Sequence, residues 1–144
     1  MPNAKKRHYT LTRTLKYYLI GLTFCICSST LFSQPEKIDS LKTVLESSNK
    51  DSIRCIILNE LFEIASETDK IIFNEQLKAI SEINLENANT SSNIFFYKTQ
   101  LGISLNNFGE IYANQGDIVK ALDYCNLSLK TMKEIGNKKG IAQA

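Results

Sequence analysis

The chain has 144 residues, with 17 lysines and arginines, 15 acidic residues, one histidine and four cysteines. That length leaves room for one domain. The single histidine, His8, stands near the N-terminus, so residues 34–144 hold no imidazole for a Ser-His or Cys-His pair or for a metal.

Residues 1–33 read as a secretory signal peptide. Lys5, Lys6, Arg7, Arg13 and Lys16 make a basic start, Tyr17 to Phe32 is an uncharged apolar run, and Ser33-Gln34-Pro35 is a polar break with a cleavage site expected after Ser33. The alternative is an uncleaved N-terminal membrane anchor, although sixteen residues fall short of the ~20 a span needs. Cys25 and Cys27 follow Phe24 and Ile26 and so read as ordinary apolar-run cysteines, not lipidated ones. With the five leader cations set apart, 12 basic and 15 acidic residues remain, about −3 in charge, and no basic face suited to nucleic acid. The expected location is exported, periplasmic or membrane-associated.

Beyond Pro35 the chain contains no proline and is rich in helix-forming residues, which predicts an all-α fold. Residues 34–50 should hold a short helix with Ile38, Leu41 and Leu45 on one face. Asp51 or Ser52 can cap the next, whose stripe is Ile53, Ile57, Leu61 and Ile64. A turn at Glu67-Thr68-Asp69 precedes a helix carrying Ile71, Ile72, Phe73, Leu77, Ile80 and Ile83, so residues 51–86 form one helix pair. Leu58-Asn59-Glu60-Leu61 echoes Leu105-Asn106-Asn107-Phe108, with Phe62 in the place of Gly109.

Residues 87–93 read as a polar linker, and 87–135 as a second pair. Its first helix carries Ile94, Tyr97, Leu101, Leu105, Phe108 and Tyr112. Its second carries Ile118, Ala121, Leu122, Cys125, Leu129 and Met132. Between them Gly116 supplies a left-handed helix end and Asp117 a cap. Small residues at Gly109 and Ala121 let the two helices approach closely. Residues 136–144 look like the start of a further, truncated repeat.

Leu105, Phe108, Gly109, Tyr112, Gly116, Ala121, Tyr124 and Ser128 together resemble a tetratricopeptide repeat (TPR), a helical hairpin of about 34 residues. Two positions depart from that pattern: Cys125 stands where an aromatic is usual, beside Tyr124, and the closing proline is absent. The resemblance covers 51–144, is specific only in 101–135, and is to the extended repeats of exported bacterial sensor proteins. It implies antiparallel hairpins stacked as a short α-solenoid that binds a protein or peptide partner. In such proteins the array is often followed by a membrane helix and a histidine kinase or a transcriptional regulator. An alternative reading is therefore the N-terminal sensory region of a longer signal-transduction protein.

No catalytic constellation is visible, so neither an enzyme nor a cofactor is expected. Gly102, Gly109 and Gly116 recur every seven residues, which is helix packing and not a phosphate loop. Cys55 and Cys125 read as structural thiols, with a disulfide open as an alternative. Glu60, Glu63, Glu75 and Glu82 read as solvated surface, as do Lys130, Lys133, Lys138 and Lys139. In a TPR the first helix of each pair lines the ligand groove, which makes Asn106, Glu110 and Ala113, with Ile103, the candidate partner-binding residues. The outer side of 102–135, facing the segment after Gly140, should be apolar and exposed, an open end through which the chain could self-associate.

Overall fold

The structure is a computed structural model that describes residues 33–143. The chain divides into two compact units, Met1–Asp39 and Ser40–Ala144. Of the first, only residues 33–39 are described, so the predicted leader lies, apart from Ser33, outside the described residues. Those residues form six helices and no strand: α1 (Ser33–Ser47), α2 (Asp51–Ile64), α3 (Glu67–Glu86), α4 (Ser91–Asn114), α5 (Ile118–Glu134) and α6 (Lys138–Gln143). None of these helices is long and apolar enough to cross a membrane.

From α2 onward each helix packs on the next one in sequence, and α6 also touches α4. The connections are two to four residues long, which forces neighbours to fold back on one another. Their chemistry is local. Gly116 adopts φ +81°, its N–H returns to the Ala113 carbonyl, and the Asp117 N–H reaches the Tyr112 carbonyl at 2.9 Å. This paired closure satisfies carbonyls the end of α4 would otherwise leave bare. The Asp117 carboxylate then accepts from the Lys120 N–H at 3.1 Å and starts α5. The same device recurs at Gly136 (φ +64°) and Asn137, whose Oδ1 accepts from the Gly140 N–H.

Three boundaries differ from the sequence reading. The turn between α2 and α3 is Ala65-Ser66, because the Ser66 hydroxyl accepts from the Asp69 N–H and places Glu67 and Asp69 in the first helical turn. Neither Asp51 nor Ser52 caps α2. The cap position is Lys50, while Asp51 accepts from Arg54 at 3.2 Å and from Asn84 of α3 at 2.8 Å. The linker before α4 shrinks to 87–90, since Thr90 accepts from the Asn93 N–H and the helix starts at Ser91.

The core runs along the stacked helices. Cys55, Leu58, Leu61 and Phe62 of α2 are buried, as are Phe73, Leu77 and Ile80 of α3. Phe62 packs with Phe108 and Ile111 of α4, bordered by Ile71, Tyr112 and Tyr124. Each fully buried leucine, isoleucine or phenylalanine contributes about 1.5–3 kcal/mol. Ile53, Ile72, Ile83 and Ile94, expected on the apolar stripes, are exposed. Ile53 shares a helix face with the buried Ile57 and Leu61 but stands in the first turn of α2, where that face is left open.

The α4–α5 pair meets through small residues. A Cβ on Gly109 would stand 2.7 Å from the Cys125 sulfur and 3.3 Å from the Ala121 carbonyl oxygen. Tyr124 stacks on Tyr112 with centroids 5.4 Å apart and tilts against Phe108 at 5.1 Å. Ser128, 1 % exposed, donates to the Gly102 carbonyl at 2.7 Å. Lys98 and Glu134 pair across the two helices at 2.6 Å, which holds the Glu134 carboxyl below its usual range.

Candidate functional site

A cavity of about 560 Å³ opens on one side of the second unit, a size suited to a small ligand or a few residues of peptide. Asn59, Glu60 and Glu63 face it from α2, and Ile103, Asn106, Asn107 and Glu110 from α4. Ser128 and Met132 of α5 and Gly140 and Gln143 of α6 complete it. The spacings follow from the helix: 59, 60 and 63, like 103, 106, 107 and 110, lie on single faces at steps of three and four.

The α4 wall is braced from behind by α3. Asn107 donates to Asn74 Oδ1 at 3.1 Å, and Asn74 is completely buried. The α2 wall is tied at Asn59, whose Nδ2 donates to Gln100 Oε1 at 2.6 Å. The other amide atom of Asn59, Oδ1, is buried without a hydrogen-bond donor. At the rim, Lys70 of α3 donates to Glu110 Oε1 at 3.0 Å and lies 3.4 Å from Glu67. The Glu110 hydrogen bond raises the Lys70 ammonium above its ordinary range. The aliphatic reach of Lys70 brings its charge over the Phe62 ring, 5.0 Å from the centroid.

Of the residues singled out in the sequence, Ile103, Asn106 and Glu110 line this cavity. Ala113 does not: it is exposed in the last turn of α4, past Glu110, where the lining has ended. Glu60 and Glu63, read from the sequence as solvated surface, are exposed and stand on the cavity wall, where Asn59, Asn107 and Gln143 join them. One signal pointed at Asn59. The echo between residues 58–61 and 105–108 aligns it with Asn106, and the two amides face the same space from successive hairpins.

The two cysteines of this unit are free thiols, so no bridge joins α2 to α5. Burial pushes the Cys55 thiol up to about 11, against an ordinary value of 9.0, and Ser81 hydrogen-bonds to it with a smaller opposing effect. Such a thiol is a poor nucleophile. Among the described residues no group of three or more histidine, cysteine or acidic side chains is placed to hold a metal ion. On α5, Ile118, Val119 and Leu122 are exposed, while Met132 at the other end of the helix is covered by α4 and α6.

Chemically, the cavity offers amides and carboxylates over the apolar side chain of Ile103. It is equipped to accept hydrogen bonds. Compared with protein-family models, with curated proteins and with solved structures, the chain matches none.

Proposed function

We propose that this chain is an exported interaction module of the TPR type, which binds a segment of a partner protein and catalyses nothing itself. One observation carries the reading. The alternate helices α2, α4 and α6 contribute to one cavity, together with Ser128 and Met132 of α5, and Asn106 and Glu110 stand in its wall. An amide such as that of Asn106 donates and accepts at once, which suits the alternating groups of a peptide backbone.

The packing of α4 on α5 supports the repeat assignment. Gly109 faces Ala121 and Cys125, Tyr124 lies between Phe108 and Tyr112, and Gly116 closes the turn. Tyr124 takes the aromatic role that Cys125 vacates. Stacked antiparallel hairpins of this kind make a short α-solenoid whose first helices present the ligand face. The exported location rests on the leader pattern of residues 1–33. A partner that must reach that face would be met outside the cytoplasm.

The test is a titration of the ¹⁵N-labelled chain with a degenerate pool of unstructured decapeptides, followed by amide shifts. Expected are shifts concentrated at residues 59–63, 103–110 and 140–143. No shift up to millimolar peptide, or shifts confined to other helix faces, would overturn the proposal.

A further inference from the structure

We propose that the cavity selects a peptide segment carrying an arginine, the guanidinium being held by Glu60 and Glu63. This deepens the peptide-binding reading and rests on it. Among the described residues every charged side chain in the lining is a glutamate: Glu60, Glu63 and Glu110. Glu110 already has its cation in Lys70, at 3.0 Å. Glu60 and Glu63 have none among the described residues, and both lie three apart on one face of α2. Like charges at that spacing repel one another, and a cation between them relieves the repulsion.

A second observation points the same way. Asn59 stands beside the pair with its Nδ2 already engaged by Gln100 and its Oδ1 buried without a donor. The polar groups on the α2 wall without a protein partner are thus all acceptors: two exposed carboxylates and the buried Asn59 amide oxygen. An arginine brings five N–H donors in a planar fork and forms paired bonds to carboxylates, whereas a lysine offers a single point charge. The side chain of Ile103, on the opposite wall, supplies apolar surface for the arginine's methylene stem. The Asn106 amide of α4 remains free to engage the peptide backbone.

The experiment uses the ¹⁵N-labelled full chain and four nonapeptides, GAGAXAGAG, with arginine, lysine, glutamine or glutamate as X. Amide shifts at residues 59–63 report binding. The arginine peptide should bind at least about tenfold more tightly than the glutamine peptide, the lysine peptide should fall between, and the glutamate peptide should not bind. Replacing Glu60→Gln and Glu63→Gln together should remove the preference for arginine, with an unchanged melt confirming the fold. The control pair Glu75→Gln and Glu86→Gln, exposed on α3, should leave it intact. Equal losses in both double variants would assign the effect to net charge and overturn the inference. Arginine and glutamine peptides binding the cavity equally would overturn it too, while leaving the peptide-binding reading standing. Failure of all four, and of the degenerate pool, to shift the cavity amides would remove both.

Discussion

Asn74 of α3 and Ser104 of α4 exchange hydrogen bonds through each other's backbone: Asn74 Nδ2 donates to the Ser104 carbonyl at 3.0 Å, and Ser104 Oγ donates to the Asn74 carbonyl at 3.3 Å. Both residues are completely buried. The remaining amide oxygen of Asn74 accepts from Asn107, so one asparagine joins the seam between the two hairpins to the wall of the cavity. The first prediction follows from the asymmetry between making such bonds and leaving them unmade. Asn74→Ala strands the Asn107 amide in the interior and should cost about 2–4 kcal/mol, read from urea unfolding at constant m. Ser104→Ala removes one donor from a small side chain and should cost about 1 kcal/mol. Equal costs would mean that the seam is held by packing alone.

This seam also marks where the sequence stops being legible. Apolar periodicity locates the helices from α2 to α5, and Gly116-Asp117 locates a turn because its backbone chemistry is local. Gly109 signals a close approach because a glycine inside a helix costs about 1 kcal/mol relative to alanine, a loss that tight contact with a partner helix can offset. Asn74, Ser104 and Asn107 carry no such mark. Polar residues read as outward-facing unless a partner is known, and their partners are 30 or more residues away. Glu60 and Glu63 are exposed, as the sequence reading has them, but nothing local puts them on one wall of a cavity. A helical period gives a face, but which face of α2 looks toward α4 is decided by how the hairpins stack. The exposed Ile53, Ile72 and Ile83 show the converse error, with apolar residues assigned inward though no neighbouring helix covers them.

A second prediction concerns the contact of Gly109 with Cys125. An added Cβ would stand 2.7 Å from the Cys125 sulfur, close enough that something must move, while the Ala121 carbonyl oxygen lies 3.3 Å away. Gly109→Ala should therefore destabilise the protein despite alanine's higher helix propensity, worth about 1 kcal/mol. Removing the sulfur with Cys125→Ala should recover most of that loss, giving a coupling of about 1 kcal/mol or more in a double-mutant cycle. Gly109→Leu cannot be rescued in this way and should unfold the α4–α5 hairpin. A strictly additive cycle would sink the assignment of this contact.

Cys55 sets an alkaline limit on stability. Its thiol is pushed up by burial to about 11, above the 9.0 of a free cysteine. A group whose pKa is higher in the fold favours folding while protonated, so its contribution is complete below about pH 9 and is lost as the pH rises toward 11. The urea midpoint should fall across that interval. Cys55→Ser, which does not titrate there, should flatten the fall. Part of the slope should persist, because burial also raises the Tyr97 hydroxyl and acts in the same direction. The chemical counterpart is that iodoacetamide at pH 8, with peptide mapping, should label Cys125 well before Cys55. Equal labelling of the two native thiols would contradict the burial of Cys55.

The apolar stripe of α5 should divide into two halves with opposite energetics. At one end Leu122 is 59 % exposed, next to the exposed Ile118 and Val119. At the other Met132 is 2 % exposed, with its Cε 2.5 Å from where a Cβ on Gly102 would lie and its thioether against Gly140 of α6. Three helices converge there around one flexible side chain, and two glycines leave it the room. Met132→Ala opens a cavity between α4, α5 and α6 and should cost about 2–5 kcal/mol. Met132→Leu keeps the volume but adds a branch between the glycines, and should cost less than about 1.5 kcal/mol. Leu122→Ser removes a side chain already in water and should stay within about 0.5 kcal/mol of the parent. The three variants can be ranked in one series of urea melts. A large cost for Leu122→Ser would mean that this end of α5 is covered in solution, and the exposed surface would have to be redrawn.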